Sequence, residues 1–378
     1  MIVDVFDGDL FFHTVGMIKC SIENAQEKHF YLIKVSSAEN KKLYEDLFFS
    51  KNYTEYRICA PGDNDDDIPL ALRFFCWLKK NSKKSEEIIL LKEMYRLRKN
   101  TLLLHGIPLY GFLLLIRWPN LNWICWGFGI RPTKLLLRLK RKLLYSKLKK
   151  IICLMQPDLE FIQKKFRFRR VFLCPYPDYF RYKMPSMQKS SDLPNNKVLV
   201  GNNGNVIHSY ISLVEKLKPY KDSIDLTFMI PYGTTGRDDD IKNLKNLLQA
   251  EKFHYDFWDK VLACDEYNKK MGSYKYYICP FETQTGLGAV YTMIACDRTV
   301  YLTGFNYAWC SYLGIKVYSI DDFLEKLKNQ SSLEMDIDIR KENRRQYCEL
   351  FDGKRRIGKL EKLLMTEGNL ENLETDWL

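Results

Sequence analysis

The stretch Tyr276–Leu302, YYICPFETQTGLGAVYTMIACDRTVYL, reads as strand, loop, helix and strand in succession. Tyr276–Cys279 is a short apolar run, and Val300–Leu302 is another. Between them Pro280 closes the first strand and Glu282–Gly288 forms a polar loop carrying glycine. Ala289–Ala295 then has the small and apolar residues of a helix packed on a sheet. The stretch therefore predicts one half of a parallel α/β layer.

The first N–H groups of a helix have no partners within it. A loop made of Thr283, Gln284, Thr285, Gly286, Leu287 and Gly288 leaves those donors for an anion such as a diphosphate. Glycine there lets a ligand come close. A carboxylate beside a phosphate is repelled, which gives Glu282 a different task, accepting hydrogen bonds from sugar or ribose hydroxyls. The run G-L-G-A-V-Y lacks the third glycine of a dinucleotide fingerprint and has no P-loop lysine, so neither motif is assigned. An ordinary strand-to-helix connection uses the same residue types, and the loop alone does not separate the two readings.

A chain of 378 residues exceeds one ordinary core and suits two domains. Its eleven cysteines include no C-x-x-C pair and no clustered His/Cys spacing. That argues against a zinc site and a disulfide scaffold, and for a reducing compartment. The N-terminus, MIVDVFDGDLFFH, has three aspartates where a secretory signal needs positive charge and an unbroken apolar run, so no signal peptide is expected. Leu102–Ile116 is the most apolar stretch. His105 and Pro108 interrupt it, and Arg117 stops it short of the roughly 20 residues of a spanning helix, so no transmembrane segment is expected.

The net charge of +12 is unevenly placed: Met94–Pro157 contains no Asp or Glu and thirteen Lys and Arg. Within it RPTKLLLRLKRKLLYSKLKK (Arg131–Lys150) interleaves Arg131, Arg138, Lys140, Arg141 and Lys142 with leucines. A basic helix with an apolar stripe suits an anionic membrane surface or an anionic acceptor, each nearby Lys or Arg contributing roughly 1 kcal/mol at a membrane. The alternative is a solvated basic face on a buried helix.

In chain order, Ile2–Phe6, His29–Val35, Arg57–Ala60, Leu102–His105, Trp123–Trp126, Ile151–Leu154 and Val171–Cys174 read as strands. Helical patterns separate them: Leu10–Ile22, Lys41–Phe49, Ile68–Lys79, Glu86–Arg98, a stretch closed by Pro119, the basic region, and Asp158–Lys165. The aspartate run in Gly62–Asp67 has the wrong spacing for an EF-hand and reads as a solvated loop. A polar stretch with two prolines, Tyr182–Lys197, reads as a linker. Beyond it Lys197–Val200, Leu226–Ile230 and Asp256–Trp258 read as strands, with helices at Val206–Leu217, Asp239–Ala250 and Asp265–Met271. This rhythm implies parallel sheets wrapped on both faces. The expected division is a first domain at 1–185, a second at 195–340, and a helical segment at 341–378 that packs back on the first.

Ligands of open parallel sheets bind at the carboxyl ends of strands. Three loops of the second half qualify: Gly201, Asn202, Asn203 and Gly204 with His208 just inside the next helix; Pro231-Tyr232-Gly233; and the Glu282–Gly288 loop. Amide groups for phosphate, an aromatic ring for a base and a carboxylate for hydroxyls point to a nucleotide-sugar. Asn, Gly and Tyr are also common turn and packing residues, so each loop taken singly has a structural reading too.

At these residues the chain resembles the bacterial 4-alpha-L-fucosyltransferase family, glycosyltransferase family 56. The resemblance is carried by L-V-G-N-N-G ending at Gly204 with His208 following, the Pro231-Tyr232-Gly233 turn, the Q-T-G-L-G loop, and Asn306 with Trp309 after the next strand. In the first half His105-Gly106 and W-I-C-W-G ending at Gly127 are also similar. The chain departs from the family just after Gly127, where Phe128-Gly129 replace an acidic residue. The resemblance implies a GT-B architecture, two facing Rossmann-like domains. The second would hold a dTDP- or UDP-sugar, with Asn306 among its donor-binding residues, and the first a lipid-linked or glycan acceptor used in bacterial surface polysaccharide synthesis. It implies no cofactor and no metal, although Asp7-Gly8-Asp9 and Asp63–Asp67 formally contain a D-x-D spacing. It also implies a cytoplasmic enzyme held peripherally at the inner face of the membrane.

Inversion at the anomeric centre would need a base on a loop of the first domain, and Asp9 and His13 follow the first strand directly. They could equally cap and hydrate the first helix. Two other classes compete: a non-catalytic nucleotide-sugar-binding protein, and a basic nucleic-acid-binding protein suggested by a pI near 9.0. Against the latter, the charge is confined to a leucine-rich region and no nucleic-acid reader motif occurs, so nucleic acid is not an expected partner.

Overall fold

The computed structural model describes residues 1–8, 11–60, 85–106, 117–126, 135–177, 190–262, 264–283 and 285–366. The chain divides into two compact units, Met1–Tyr179 together with Phe351–Leu378, and Phe180–Leu350.

The first unit carries β1 (Ile2–Asp7), β2 (His29–Lys34), β3 (Tyr56–Cys59), β4 (Thr101–His105), β5 (Leu121–Cys125), β6 (Lys150–Cys153) and β7 (Val171–Leu173). They form one sheet in the order β3-β2-β1-β4-β5-β6-β7, with every pairing parallel. The described helices are α1 (Phe11–Asn24), α2 (Ala38–Ser50), α3 (Ser85–Arg96), α4 (Leu135–Tyr145) and α5 (Gln156–Phe166), with α13 (Gly353–Met365) arriving from the far end of the chain. Helices on both faces bury the strands, so the strands read as continuous apolar runs; β5 and β6 are buried at every residue. The helix expected at Ile68–Lys79, the one before Pro119 and the Gly62–Asp67 loop lie outside the described residues.

Asp4 interrupts the apolar run of β1 with 1% of its surface exposed, and a carboxylate persists there only if paired. His29 on β2 donates through Nδ1 to Asp4 Oδ2 at 2.5 Å, and His105 on β4 lies with Nε2 2.7 Å from Asp4 Oδ1. His29 Nε2 reaches Glu361 of α13 at 3.1 Å, and the same carboxylate accepts the backbone N–H groups of Gln26 and Glu27. Three neighbouring strands and the returning helix thus share one buried cluster. Burial opposes charge on His29, but Asp4 and then Glu361 outweigh it and lift its pKa to about 9. His105 is held below the ordinary imidazole value by its burial, against the pull of Asp4. Lys150, buried at the start of β6, fixes the C-terminal end of α13 by donating to the carbonyls of Leu363 and, at 2.8 Å, Thr366. An ammonium at a helix C-terminus satisfies carbonyls that the helix itself leaves unpaired.

The second unit carries β8 (Lys197–Val200), β9 (Asp225–Met229), β10 (His254–Trp258), β11 (Tyr276–Cys279), β12 (Thr299–Leu302) and β13 (Tyr318–Ser319), ordered β10-β9-β8-β11-β12-β13 and again all parallel. Its helices are α6 (Ile207–Leu217), α7 (Asp238–Ala250), α8 (Cys264–Gly272), α9 (Leu287–Ala295), α10 (Gly304–Tyr312), α11 (Ile320–Lys328) and α12 (Ile337–Leu350). Helix α12 packs on α9, and Asn343 exchanges two hydrogen bonds with the backbone of Lys316 at 2.7 and 2.9 Å. The segment after residue 340 is thus divided: α12 belongs to the second unit and α13 to the first.

The buried cluster dictates how stability depends on pH. His29, whose folded pKa of about 9 lies above the unfolded value near 6.5, contributes stability that is full below pH 6.5 and is lost as pH rises towards 9. His105, with a depressed pKa, contributes stability that is lost as pH falls below 6.5. Urea unfolding followed across pH 5–10 should therefore show a maximum near neutrality, and His29→Gln should flatten the alkaline limb. An equally steep alkaline limb in the variant would contradict the assignment.

Candidate functional site

In the second sheet, strand order reverses between β8 and β11, so the chain leaves the carboxyl ends of these neighbours in opposite directions and opens a crevice between them. The loops bordering it are Gly201–Val206 and Pro280–Gly286. Gly201 has φ +75°, and a Cβ there would lie 2.0 Å from the hydroxyl of Tyr210. That hydroxyl, buried on α6, accepts the N–H groups of Asn202 at 3.0 Å and Asn203 at 3.3 Å and donates to the Asn203 carbonyl at 2.8 Å. Asn203 is itself only 6% exposed. Its Oδ1 accepts from Asn205 N at 2.8 Å and its Nδ2 donates to Asn202 Oδ1 at 2.7 Å. Its side chain therefore shapes the loop, while Asn202 and Tyr232, joined by a 3.0 Å bond, stand at the surface. Gly204 donates its N–H to the Tyr232 carbonyl at 2.8 Å, which ties the loop after β8 to the one after β9.

Across the crevice Gly286, at φ +80°, is the N-cap of α9, with no side-chain cap and no acid in the first turn. Leu287 and Gly288 open the helix, so its leading N–H groups and the positive end of its dipole are available to an anion. A Cβ on Gly286 would meet Asn202 Cγ at 3.3 Å, so the two loops touch. Asn306, fully buried on α10, braces this loop by donating to the Thr285 carbonyl at 2.6 Å and to Cys279 Sγ at 3.3 Å. Its Oδ1 has no hydrogen-bond partner among the described residues. Thr283 is exposed, and Gln284 lies outside the described residues.

Glu282 accepts from the Thr303 hydroxyl at 2.9 Å, and Gly304 packs so closely that a Cβ would lie 2.5 Å from Glu282 Cα. Glu282 and His208 border a groove of about 540 Å³ that runs along α6 and reaches Thr303, Tyr307 and Asp321. The expected donor residues thus fall into two neighbouring places. Asn202, Tyr232 and Thr285–Gly288 surround the crevice; His208 and Glu282 line the groove.

The first sheet reverses between β1 and β4. Asp7, at the end of β1, pairs with Lys34 at 3.1 Å, and the Gly8 carbonyl accepts from Tyr44 Oη at 3.0 Å. Asp9 lies outside the described residues. His13 lies in the first turn of α1, with its side chain likewise outside them. At the end of β4, His105 Nδ1 is 2.6 Å from Tyr176 Oη, which also accepts from Trp126 Nε1 at 3.0 Å. Gly106, at φ +61°, leaves room for the Trp126 ring, 2.3 Å from where a Cβ would stand. Sequence reading singled out His105, Gly106 and Trp126 but missed Asp4 and Tyr176, which complete the set. The signal for Asp4 was available: a charged residue inside a fully apolar strand.

On α4, Leu139 and Leu143 are 53% and 57% exposed, one turn apart, beside Arg138 and Lys142, also one turn apart; Arg141 is partly exposed. Arg131 and the side chain of Lys140 lie outside the described residues. Lys149 and Lys150, from the same basic stretch, serve the fold, Lys149 by donating to Asn120 Oδ1 at 2.7 Å. Among the described residues, no helix is long and apolar enough to cross a membrane, and no three His, Cys, Asp or Glu form a group that could hold a metal ion.

No protein-family model matches the sequence, and no curated protein matches it significantly. Solved structures do match across nearly the whole chain. A glycosyltransferase from Rickettsia africae aligns over 96% of this chain and 97% of its own at TM-score 0.64 and 10% identity. Anabaena Alr3699/HepE, solved with UDP and glucose, aligns over 96% and 98% at TM-score 0.64 and 11% identity. An α,α-trehalose-phosphate synthase (UDP-forming) from Burkholderia vietnamiensis aligns over 96% and 99% at TM-score 0.62 and 10% identity. The chain has the fold of these GT-B glycosyltransferases, with two Rossmann-like domains.

Tyr210→Phe tests the construction of the crevice. It should leave two amides and a carbonyl of the Gly201–Val206 loop without their buried partner, at a cost of about 1–3 kcal/mol in urea unfolding. An unchanged midpoint would show that the phenol does not hold the loop.

Proposed function

We propose that the protein is a glycosyltransferase that takes a sugar, a deoxyamino sugar by the sequence resemblance, from a dTDP- or UDP-linked donor to a lipid-linked or glycan acceptor. The observation that carries this reading is the touching of two glycine-bearing loops at the strand-order reversal of the second sheet, one of them ending in the uncapped N-terminus of α9. That arrangement offers a diphosphate backbone donors without a side chain in the way. The likeness to nucleotide-sugar enzymes of the same fold supports it.

In the proposed reaction an acceptor hydroxyl oxygen bonds to the anomeric carbon as the bond from that carbon to the diphosphate oxygen breaks. The electron pair leaves on the diphosphate. The N–H groups of Gly286, Leu287 and Gly288 stabilise the developing charge without a metal, as preorganised donors do elsewhere. Asn202 and Tyr232 contact the nucleotide, and the acceptor proton passes to Asp9 or His13, on the segment following β1. Asn203 and Asn306 hold the two loops in shape. The basic helix α4 brings the enzyme to the inner face of the cell membrane, Leu139 and Leu143 entering the interface and Arg138, Arg141 and Lys142 meeting anionic headgroups. The setting is bacterial surface polysaccharide synthesis, as the family resemblance implies.

A thermal-shift panel of nucleoside diphosphates and their sugars tests the donor site. A ligand at 100 times its dissociation constant stabilises the protein by about 2.7 kcal/mol. At least one of dTDP, UDP and their sugar conjugates should raise the transition, and Gly286→Val should abolish the shift while the protein still folds. A flat panel with the wild-type protein would remove the proposal. For the membrane, sedimentation with phosphatidylserine-containing vesicles should weaken with salt and with Arg138, Arg141 and Lys142 changed to Glu; binding indifferent to both would contradict it.

A further inference from the structure

The groove beside Glu282 is distinct from the crevice: Asn202, Tyr232 and Gly286 do not line it. It follows one face of α6, where Ser209, Ser212 and Lys216 stand above buried Leu213, and its opposite wall is the start of α11 with Asp321. Its volume of about 540 Å³ falls within the roughly 300–1,000 Å³ of small-molecule sites. Hydroxyls, carboxylates and a lysine over an apolar floor match a sugar ring, which presents hydroxyl donors and acceptors around an apolar body. The Pro280–Gly286 loop connects the two places, Glu282 facing the groove and Gly286 the crevice. Glu282 and Gly286 are four residues apart on this loop, so the two places adjoin along the chain.

The charges in the groove limit what it can hold. Glu282 and Asp321 are both carboxylates, against Lys216 and the imidazole of His208. The N-terminus of α11 carries a capping box that uses two of its N–H groups internally. Ser319 Oγ accepts from Asp322 N at 3.0 Å, and Asp322 Oδ2 accepts from Ser319 N at 2.7 Å. Asp321 and Asp322 also put negative charge on that first turn, offsetting the positive end of its dipole. A further carboxylate entering the groove would meet two of its own sign, Glu282 and Asp321.

We propose that the groove along α6 is the subsite for the sugar of the donor, and that it selects an uncharged or amino-bearing sugar over a sugar acid, with Asp321 and Glu282 setting that choice. The inference rests on the donor-binding reading above. Glu282 and Asp321 accept from sugar hydroxyls or an amine, while Ser209, Ser212 and Lys216 donate.

Calorimetric titration with UDP, dTDP, UDP-glucose and UDP-glucuronic acid tests this on the full-length protein. UDP-glucose should bind more tightly than UDP, and UDP-glucuronic acid at least about tenfold more weakly than UDP-glucose, the scale of a charge-assisted hydrogen bond. Asp321→Asn should narrow that gap. Ser212→Trp, on the exposed side of α6, should fill the groove, leaving UDP affinity unchanged and reducing UDP-glucose to the affinity of UDP. If both variants keep the wild-type ratios, or if glucose adds nothing to UDP in the wild type, the groove is not the sugar subsite although the nucleotide reading stands. If neither UDP nor dTDP binds the wild type, the underlying reading fails and the groove assignment falls with it.

Discussion

The phenol of Tyr210 occupies the space that Gly201 leaves by having no side chain, and the candidate site depends on that exchange. A buried hydroxyl with three backbone partners costs little to bury, and three backbone groups of an irregular loop are satisfied without water. The loop is thereby held at one height above β8. Asn203, used internally as a cap, then fixes Asn202 against Tyr232, and Asn202 meets Gly286 across the reversal of strand order. Each member of this chain of contacts is held by a hydrogen bond of ordinary length or by close packing at a glycine.

The first unit solves a different problem with the same architecture. Its sheet contains a carboxylate within an otherwise apolar strand; two imidazoles compensate it, and a second carboxylate pairs with one of them. Because one of those carboxylates belongs to α13, the cluster also holds the returning end of the chain. At its other side the cluster passes through His105 to Tyr176 and Trp126, which lie at the carboxyl ends of strands, where ligands of parallel sheets bind. Its burial and short contacts make it a rigid support for that edge.

The parallel α/β plan was legible because strands buried on both faces are unbroken apolar runs, and because glycine, proline and asparagine mark their carboxyl ends. Tyr276–Cys279 and Ile207–Leu217 illustrate this, each read to within a residue. Strand order was not legible: periodicity shows that a strand exists, not beside which strand it lies, so the placement of the reversal between β8 and β11 came from the structure. Nor could sequence separate Asn202 from Asn203, identical residues that differ only in which way the backbone turns at Gly201. The two-residue strand β13 is too short to carry a pattern, and the division of the C-terminal helices between units depends on Glu361 and Lys150 finding partners hundreds of residues or more than a hundred residues away. Asp9, Gln284 and Arg131, named from sequence, lie outside the described residues.

The central claim is that the crevice between β8 and β11 receives a nucleoside diphosphate on the first amides of α9. A crystal structure of the protein with UDP or dTDP tests it most directly. The account predicts phosphate oxygens within about 3 Å of the backbone nitrogens of Leu287 and Gly288, a normal N–H···O distance, with Asn202 and Tyr232 against the nucleotide. A nucleotide bound elsewhere, with the α9 N-terminus facing only solvent, would contradict it.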